Sequence, residues 1–312
     1  MKTIRYTYLL CFLALGFVLT GKVQAQQDAM YTQYFANQLV INPAYAGSRD
    51  ALSVLGLYRN QWVGFDGAPV SQTLTAHTPI LGGRSNVGLS FIHDKIGISE
   101  NLFLNASYAF RVDFGAWRLS MGLQGQISRR QMNWANSNPL DQGDPDIPFS
   151  RTNLFLPNVG AGLYIDSKSF YLGLAVPHIL ENELDFARNN NIQDLAQFRR
   201  HFFAMGGLVF DLSRDLKLRP GALVKFVNNA PTELDLNLGL FIKDKLLLGG
   251  TFRTGDSYDV FAQFWFTENL RLGYAYDFTF TQLSPYNTGS HEILLGIDLK
   301  KKRKGFDHPR YF

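Results

Sequence analysis

The stretch Asn269–Leu299, NLRLGYAYDFTFTQLSPYNTGSHEILLGIDL, decides the fold. From Leu270 to Phe280 every even position is large and apolar: Leu270, Leu272, Tyr274, Tyr276, Phe278 and Phe280. The odd positions between them are Arg271, Gly273, Ala275, Asp277 and Thr279. Successive side chains of a strand point to opposite faces, so this run has one greasy face and one small, polar or charged face. After a turn over 283–289 the pattern returns, with Ile293, Leu295, Ile297 and Leu299 on one side and Glu292, Gly296 and Asp298 on the other. Paired strands of about ten residues, apolar outside and polar inside, are what a membrane-spanning β-barrel requires.

The same parity recurs upstream. Leu234, Leu236, Leu238, Leu240 and Ile242 alternate with Asp235, Asn237 and Gly239, and Leu216, Leu218, Ala222, Val224 and Phe226 stand against Lys217, Arg219 and Lys225. From Ala51 onward the pattern predicts fourteen strands, over 51–58, 70–78, 85–93, 101–112, 116–128, 155–165, 169–177, 200–212, 216–226, 232–242, 245–254, 257–267, 269–280 and 289–299. An even count suits a single-chain bacterial barrel. Outer-membrane barrels turn tightly on the periplasmic side and loop at length outside. Here the even-numbered connections are short, whereas 59–69, 94–100, 129–154, 178–199 and 281–288 read as long outer loops. Two odd ones, near Asn229 and Gly255, are short as well. This alternation places both termini in the periplasm. A soluble sandwich or propeller also alternates, but rarely gives Leu, Tyr and Phe faces on nearly every strand. Pro220 falls inside a strand, removes a ladder donor and predicts a bulge or a shortened strand there.

The chain opens with Lys2 and Arg5, an apolar run to Thr20, and Val23 and Ala25 before the next polar segment, which reads as a secretory signal over 1–25. Its single cysteine, Cys11, lies within the apolar run and not at a lipobox. The remainder then has no cysteine, so a disulfide framework is excluded and a large core or a closed ladder must hold it together. Of the 30 Lys and Arg, three lie in residues 1–25, leaving 27 against 26 acids and a net charge of about +1. No field remains to recruit nucleic acid. Residues 26–50 are aperiodic and read as an N-terminal periplasmic or plug segment, 51–299 as the barrel, and 300–312 as a basic periplasmic tail.

Inward parity assigns Lys217, Arg219, Lys225, Arg253 and Arg271 together with Asp235, Asp277, Glu292 and Asp298 to the lumen. Mixed signs point to cross-barrel ion pairs and a filled interior more than to an ion-selective pore. The six histidines are scattered without a metal-ligand spacing, and no nucleophile elbow or phosphate-binding loop occurs, so no catalytic residue, cofactor or metal is expected. Asp141, Asp144 and Asp146 miss the spacing of a calcium loop and read as a solvated acidic loop. Trp62, Phe65 and Trp134 in outer loops serve either as partner anchors or as part of an interfacial girdle. The basic run 300–304, followed by Arg310, Tyr311 and Phe312, is a solvated end, a docking tail or a plug.

Motifs along the whole length resemble the PorP/SprF family of outer-membrane proteins associated with the type IX secretion system of Bacteroidetes. They include YTQYFANQLVINPAYAG from Tyr31, YRNQWVGFDGAPVSQTLTAHTP from Tyr58, DKIGIS from Asp94, RRHFFAMGGLVFDLS from Arg199, FRTGD from Phe252, GSHEILLG from Gly289 and PRYF from Pro309. The resemblance implies a barrel with no catalytic role beside an export and gliding apparatus. Its expected partners are type IX secretion subunits in the periplasm or outer membrane, or a large surface adhesin whose C-terminal signal domain it holds, together with the lipid bilayer. Motif positions Trp62, Gly64, Asp66, His201, Asp277, His291, Glu292, Arg310, Tyr311 and Phe312 become candidates for partner contact, with Asp277, His291 and Glu292 grouped in a lumen network. The alternative reading is a passive solute channel of the outer membrane.

Overall fold

A computed structural model describes residues 30–134, 151–181, 199–228 and 230–300. The strands, in chain order, are β1 (Ala51–Asn60), β2 (Val70–Ile80), β3 (Ser85–Ile96), β4 (Ser99–Phe114), β5 (Trp117–Asn133), β6 (Arg151–Asp166), β7 (Phe170–Val176), β8 (His201–Leu208), β9 (Phe210–Ser213), β10 (Leu216–Val227), β11 (Glu233–Ile242), β12 (Leu246–Arg253), β13 (Ser257–Trp265), β14 (Leu270–Thr279) and β15 (Ser290–Lys300). Apart from β8 and β9, which both pair with β10, each pairs antiparallel with its sequence neighbours, and β15 pairs with β1 from Ala51↔Lys300 to Asn60↔His291, which closes the ring. β8 and β9 are two halves of one stave, so the closed antiparallel barrel has fourteen staves. Closure leaves no unpaired edge inside a bilayer, where each unmet backbone group would cost several kcal/mol.

The break between β8 and β9 has a local cause. β10 pairs with β8 from Gly221↔Gly207 and with β9 at Leu218↔Phe210, so the gap lies opposite Arg219 and Pro220. Proline has no N–H to give the ladder on that side, while Pro220↔Leu238 on the β11 side is kept. The Val209 amide donates instead to the Ser169 carbonyl at 2.7 Å. The irregularity expected at Pro220 is thus present, displaced onto its neighbour.

Two expectations about the loops are corrected. The segment 94–100 is not a long loop: Lys95↔Glu100 and Ile96↔Ser99 are paired, and Gly97 at φ +55° makes a tight turn. Likewise β5 and β6 run on to Asn133 and from Arg151. Charged and amide residues such as Arg129, Arg130 and Gln131 extend the hairpin beyond the apolar band, and their polarity makes strand look like loop. Asp141, Asp144 and Asp146 lie outside the described residues.

Alternation is clearest in β13, whose Ser257, Asp259, Phe261, Gln263 and Trp265 are buried while Tyr258, Val260 and Phe264 are exposed. The outer face is a belt of Leu, Val and Ile between aromatics. Phe114, Trp117, Phe210 and Phe266 flank the tight-turn end, and Phe252, Tyr258, Phe278 and Phe280 the other. Such girdles mark the two interfaces of a bilayer. Leu123, 66% exposed near the middle of β5, belongs to the belt. Leu123→Lys is expected to cost about 2–4 kcal/mol, the penalty of a lysine at the midplane of a barrel's lipid face. Urea unfolding in vesicles, followed by heat-modifiable migration, measures it, and Leu123→Met should cost far less.

Candidate functional site

The barrel encloses a stretch of its own chain. Residues 30–50 form short 3-10 turns at Tyr34–Ala36, Gln38–Val40 and Pro43–Tyr45, and nearly every residue from Tyr31 to Arg49 is buried. From Met30 to Ser48 the segment carries no charge. It packs on inward-facing apolar side chains, among them Leu55, Leu57, Met205, Phe261 and Leu294. An open aqueous lumen would not pay for the burial of such residues.

Near the loop end, one arginine and two acids grip the start of the segment. The Thr32 and Gln33 amides donate to the two oxygens of Glu292, each at 2.9 Å, and the Thr32 hydroxyl donates to Asp277 at 2.6 Å. Arg59 lies between them, with Nη2 2.6 Å from Asp277, Nη1 3.4 Å from Glu292 and Nη1 donating to Thr32 at 2.9 Å. Beside this group Arg253 pairs with Asp235 at 3.1 Å.

Farther along, Asn237 donates to the Tyr34 hydroxyl, Gln263 donates to Gln33 at 2.9 Å, and Thr75 donates to Asn37 at 3.1 Å. The Phe35 ring lies against Phe261, with the Arg219 guanidinium 3.7 Å from its centre. Burial pushes the Tyr34 phenol above its ordinary value, so it stays neutral in this dry setting.

At the tight-turn end the segment is anchored again. Asn42 caps the last turn by accepting from the Ala44 amide and donates to the Leu163 carbonyl. Arg49 pairs with Asp298 at 2.9 Å, and Asp50 takes Arg111 and Arg118 at 2.7 and 2.5 Å. Burial disfavours the Arg49 charge, but the Asp298 carboxylate beside it outweighs that and holds the guanidinium ionised.

The wall is shaved to fit. A Cβ at Gly122 would sit 2.2 Å from the Ala44 nitrogen, and one at Gly162 would sit 2.1 Å from the Asn42 side-chain oxygen. These glycines are partners across β5 and β6, and Gly273 faces Gln33 in the same way. Above the segment a cavity of about 250 Å³ remains, bordered by Met30, Tyr31, Ile96, Asn101, Arg130 and Phe203.

The segment runs along the barrel axis. Thr32 is level with Arg59 and Asp277 near the loop end, while Arg49 and Asp50 lie by Asp298 and Arg118 near the tight turns. The first described residue and Lys300 therefore stand at opposite ends of the barrel. Residues 1–29 and 301–312, on which the expectation for both termini turns, lie outside the described residues.

The candidate positions separate into groups. Asp277 and Glu292 meet at the grip on Thr32, and all the charged residues assigned to the lumen are buried there except Lys217, which pairs with Asp244 near the rim. His291 does not join the network: it is next to Glu292 and so points outward, its Nδ1 2.7 Å from the Tyr274 hydroxyl. His201 is buried on the inner wall of β8, its ring by the Arg199 carbonyl and Phe203. Trp62, Gly64 and Asp66 occupy the β1–β2 loop, which is tied to the β14–β15 loop through Val63, Thr288 and Gly289. Gly64 has φ +95° and Trp62 has φ +47°, so the loop's path depends on left-handed residues. Trp134 donates to Thr152 at 3.0 Å, and Phe65 is exposed. Arg310, Tyr311 and Phe312 lie outside the described residues.

Arg59 escaped the sequence reading because strand β1 was expected to stop at residue 58, which put Arg59 in a loop. Its parity with Ser53, Leu55 and Leu57 was the available signal. Among the described residues, no group of three or more His, Cys, Asp or Glu is placed to hold a metal ion.

Solved structures with a similar course include the outer-membrane protein Omp33 of Acinetobacter baumannii (9% identity, 81% of this chain and 100% of that one, TM-score 0.45). Others are a Pseudomonas aeruginosa FadL homologue (14%, 80% and 88%, 0.42) and the monoaromatic hydrocarbon channel CymD (11%, 84% and 91%, 0.49). At these values the barrel assignment rests on the chain's own closed ladder. A comparison with curated proteins gives no match. The family model for the type IX secretion system membrane protein PorP/SprF matches residues 23–297. With a closed barrel, two aromatic girdles and that match over nearly its whole length, this chain belongs to the PorP/SprF family of type IX secretion system membrane proteins.

Proposed function

We propose that this protein is a non-enzymatic docking component of the type IX secretion and gliding machinery in the outer membrane. It binds periplasmic secretion subunits, or holds the C-terminal domain of an exported surface protein such as a large adhesin. The observation that supports this reading is the occupied lumen: residues 30–50 fill the interior from the loop end to the tight-turn end. A barrel plugged by its own chain offers surfaces at its two ends instead of a conduit. In this reading residues 1–25 are a removed signal, and the short turns face the periplasm. The basic tail 300–312, with Arg310, Tyr311 and Phe312, then meets periplasmic subunits. At the other end the loop holding Trp62, Gly64 and Asp66 meets the exported partner.

Affinity purification from detergent-solubilised outer membranes tests it. Secretion subunits or a cargo C-terminal domain should copurify, and Trp62→Ala or removal of 300–312 should lower the yield of one class of partner at least threefold. If neither class copurifies with the intact chain, the reading fails. Steady single-channel conductance of the intact chain in planar bilayers would favour the solute channel instead.

A further inference from the structure

The cavity above the internal segment lies between that segment and the inner wall of β3, β4 and β5. Its wall residues fall on successive rungs of the ladder. Ile96, Ser99 and Met132 are consecutive register partners at the loop end, Asp94, Asn101 and Arg130 form the next inward rung, and Ile92 pairs with Phe103 on the one after. Deepest in this wall are the partners Asn105 and Gln126, 1% and 4% exposed. Gln126 donates through Nε2 to the Asn105 Oδ1 at 2.9 Å. That bond leaves the Gln126 oxygen as an acceptor and the Asn105 nitrogen as a donor, and neither makes a hydrogen bond to any described residue. On the rung nearer the loops the Asn101 Oδ1 is buried without a partner as well.

Facing this wall are Val40 and Ile41 of the segment, with Phe203 from β8 and Leu223 from β10. The lining thus offers a donor and an acceptor side by side, set in apolar surface. Asp94 and Arg130 stand on either side of Asn101 and balance in charge, so no field selects an anion or a cation. Water satisfies the two amides but gains nothing from the apolar faces, whereas a ligand with both kinds of group is held on both counts. A peptide unit has one acceptor and one donor, and an apolar residue carries its side chain beside them. An apolar cavity of about 150 Å³ is enough to take up benzene, so one of about 250 Å³ has room for such a side chain with its peptide group. We propose that the cavity receives a short apolar stretch of a polypeptide, with a side chain against Phe103 and Phe203 and a backbone amide on Asn105 and Gln126. On the reading of the loop end given above, on which this inference rests, that polypeptide belongs to the exported partner.

The test uses the full chain in detergent micelles, with Cys11→Ser and Ile92→Cys so that the only thiol lies in the cavity wall. Labelling by a polar maleimide is timed in the presence of millimolar acetyl-leucyl-leucine methylamide, which should slow it at least fivefold. Acetyl-glycyl-glycine methylamide, which lacks the apolar side chains, should not. Nor should the leucine peptide with every backbone nitrogen methylated, which keeps the apolar bulk but has no N–H to donate. Gln126→Leu should erase the difference between the parent and methylated leucine peptides, and heat-modifiable migration verifies that each variant folds. Absence of protection by the leucine peptide overturns the inference. So does equal protection by the glycine peptide or by the methylated one, the latter making the cavity a general apolar site, and so does a difference that survives Gln126→Leu. Because no partner protein is used, copurification of an exported partner can succeed when this test fails and fail when it succeeds, so the two readings fall separately.

Discussion

Arg59→Met is expected to release the front of the internal segment. The variant keeps the length and apolar stem of the side chain but leaves Asp277 and Glu292 buried without the guanidinium between them. Removing one partner of a buried ion pair costs about 3–5 kcal/mol, because the remaining charge has no compensation. Here two acids are stranded, and both also hold the segment through Thr32 and Gln33. Unseating relieves the strain by admitting water. Chymotrypsin should therefore cut the variant at Tyr31, Tyr34 or Phe35 and leave the wild type intact there. The barrel's ladder does not pass through Arg59's side chain, so heat-modifiable migration should persist. Adding Asp277→Asn and Glu292→Gln should restore much of the protection, since neutral amides need no counter-charge. Thr32→Ala should cost only about 1 kcal/mol, the size of a single hydrogen bond. Unchanged resistance in Arg59→Met would remove the grip from the account.

The double variant Gly122→Val with Gly162→Val should have an effect as large from the opposite direction. At each site the new Cβ would overlap the segment, in one case its backbone at Ala44. Backbone cannot rotate away as a side chain can, so residues 42–44 must move by more than an ångström. Valine is at home in strands, and the wall itself should lose nothing. The expelled segment should leave an open lumen, seen as new single-channel conductance in planar bilayers. Mixed charges along that lumen, including Arg219, Arg271, Asp235 and Asp298, predict weak ion selectivity. A variant that folds and stays electrically silent would show that the glycines do not set the fit.

Much of this was legible beforehand in particular residues. The alternation around Gly273 and Asp277 gave the wall, its two faces and the closing hairpin. The same parity named the buried charges from Arg219 to Asp298 apart from Asp259, but none of those before Arg219 in the chain, such as Arg111, Arg118 and Asp166. Strand ends were less readable, because strands that outrun the apolar band carry polar residues on both faces. That hid Arg59, the paired 94–96 region and the outer reaches of β5 and β6.

By itself, then, the sequence determined that fourteen alternating strands form a closed barrel with a charged interior. Alternation is a local property, imposed residue by residue by lipid on one side and by enclosure on the other. Only the tertiary structure decided what fills that interior and where the wall must be glycine. Those contacts join Thr32 to Glu292 and Ala44 to Gly122 across long separations in the chain. An aperiodic segment has no register of its own, and its place is set only once the surrounding cylinder exists to bury it.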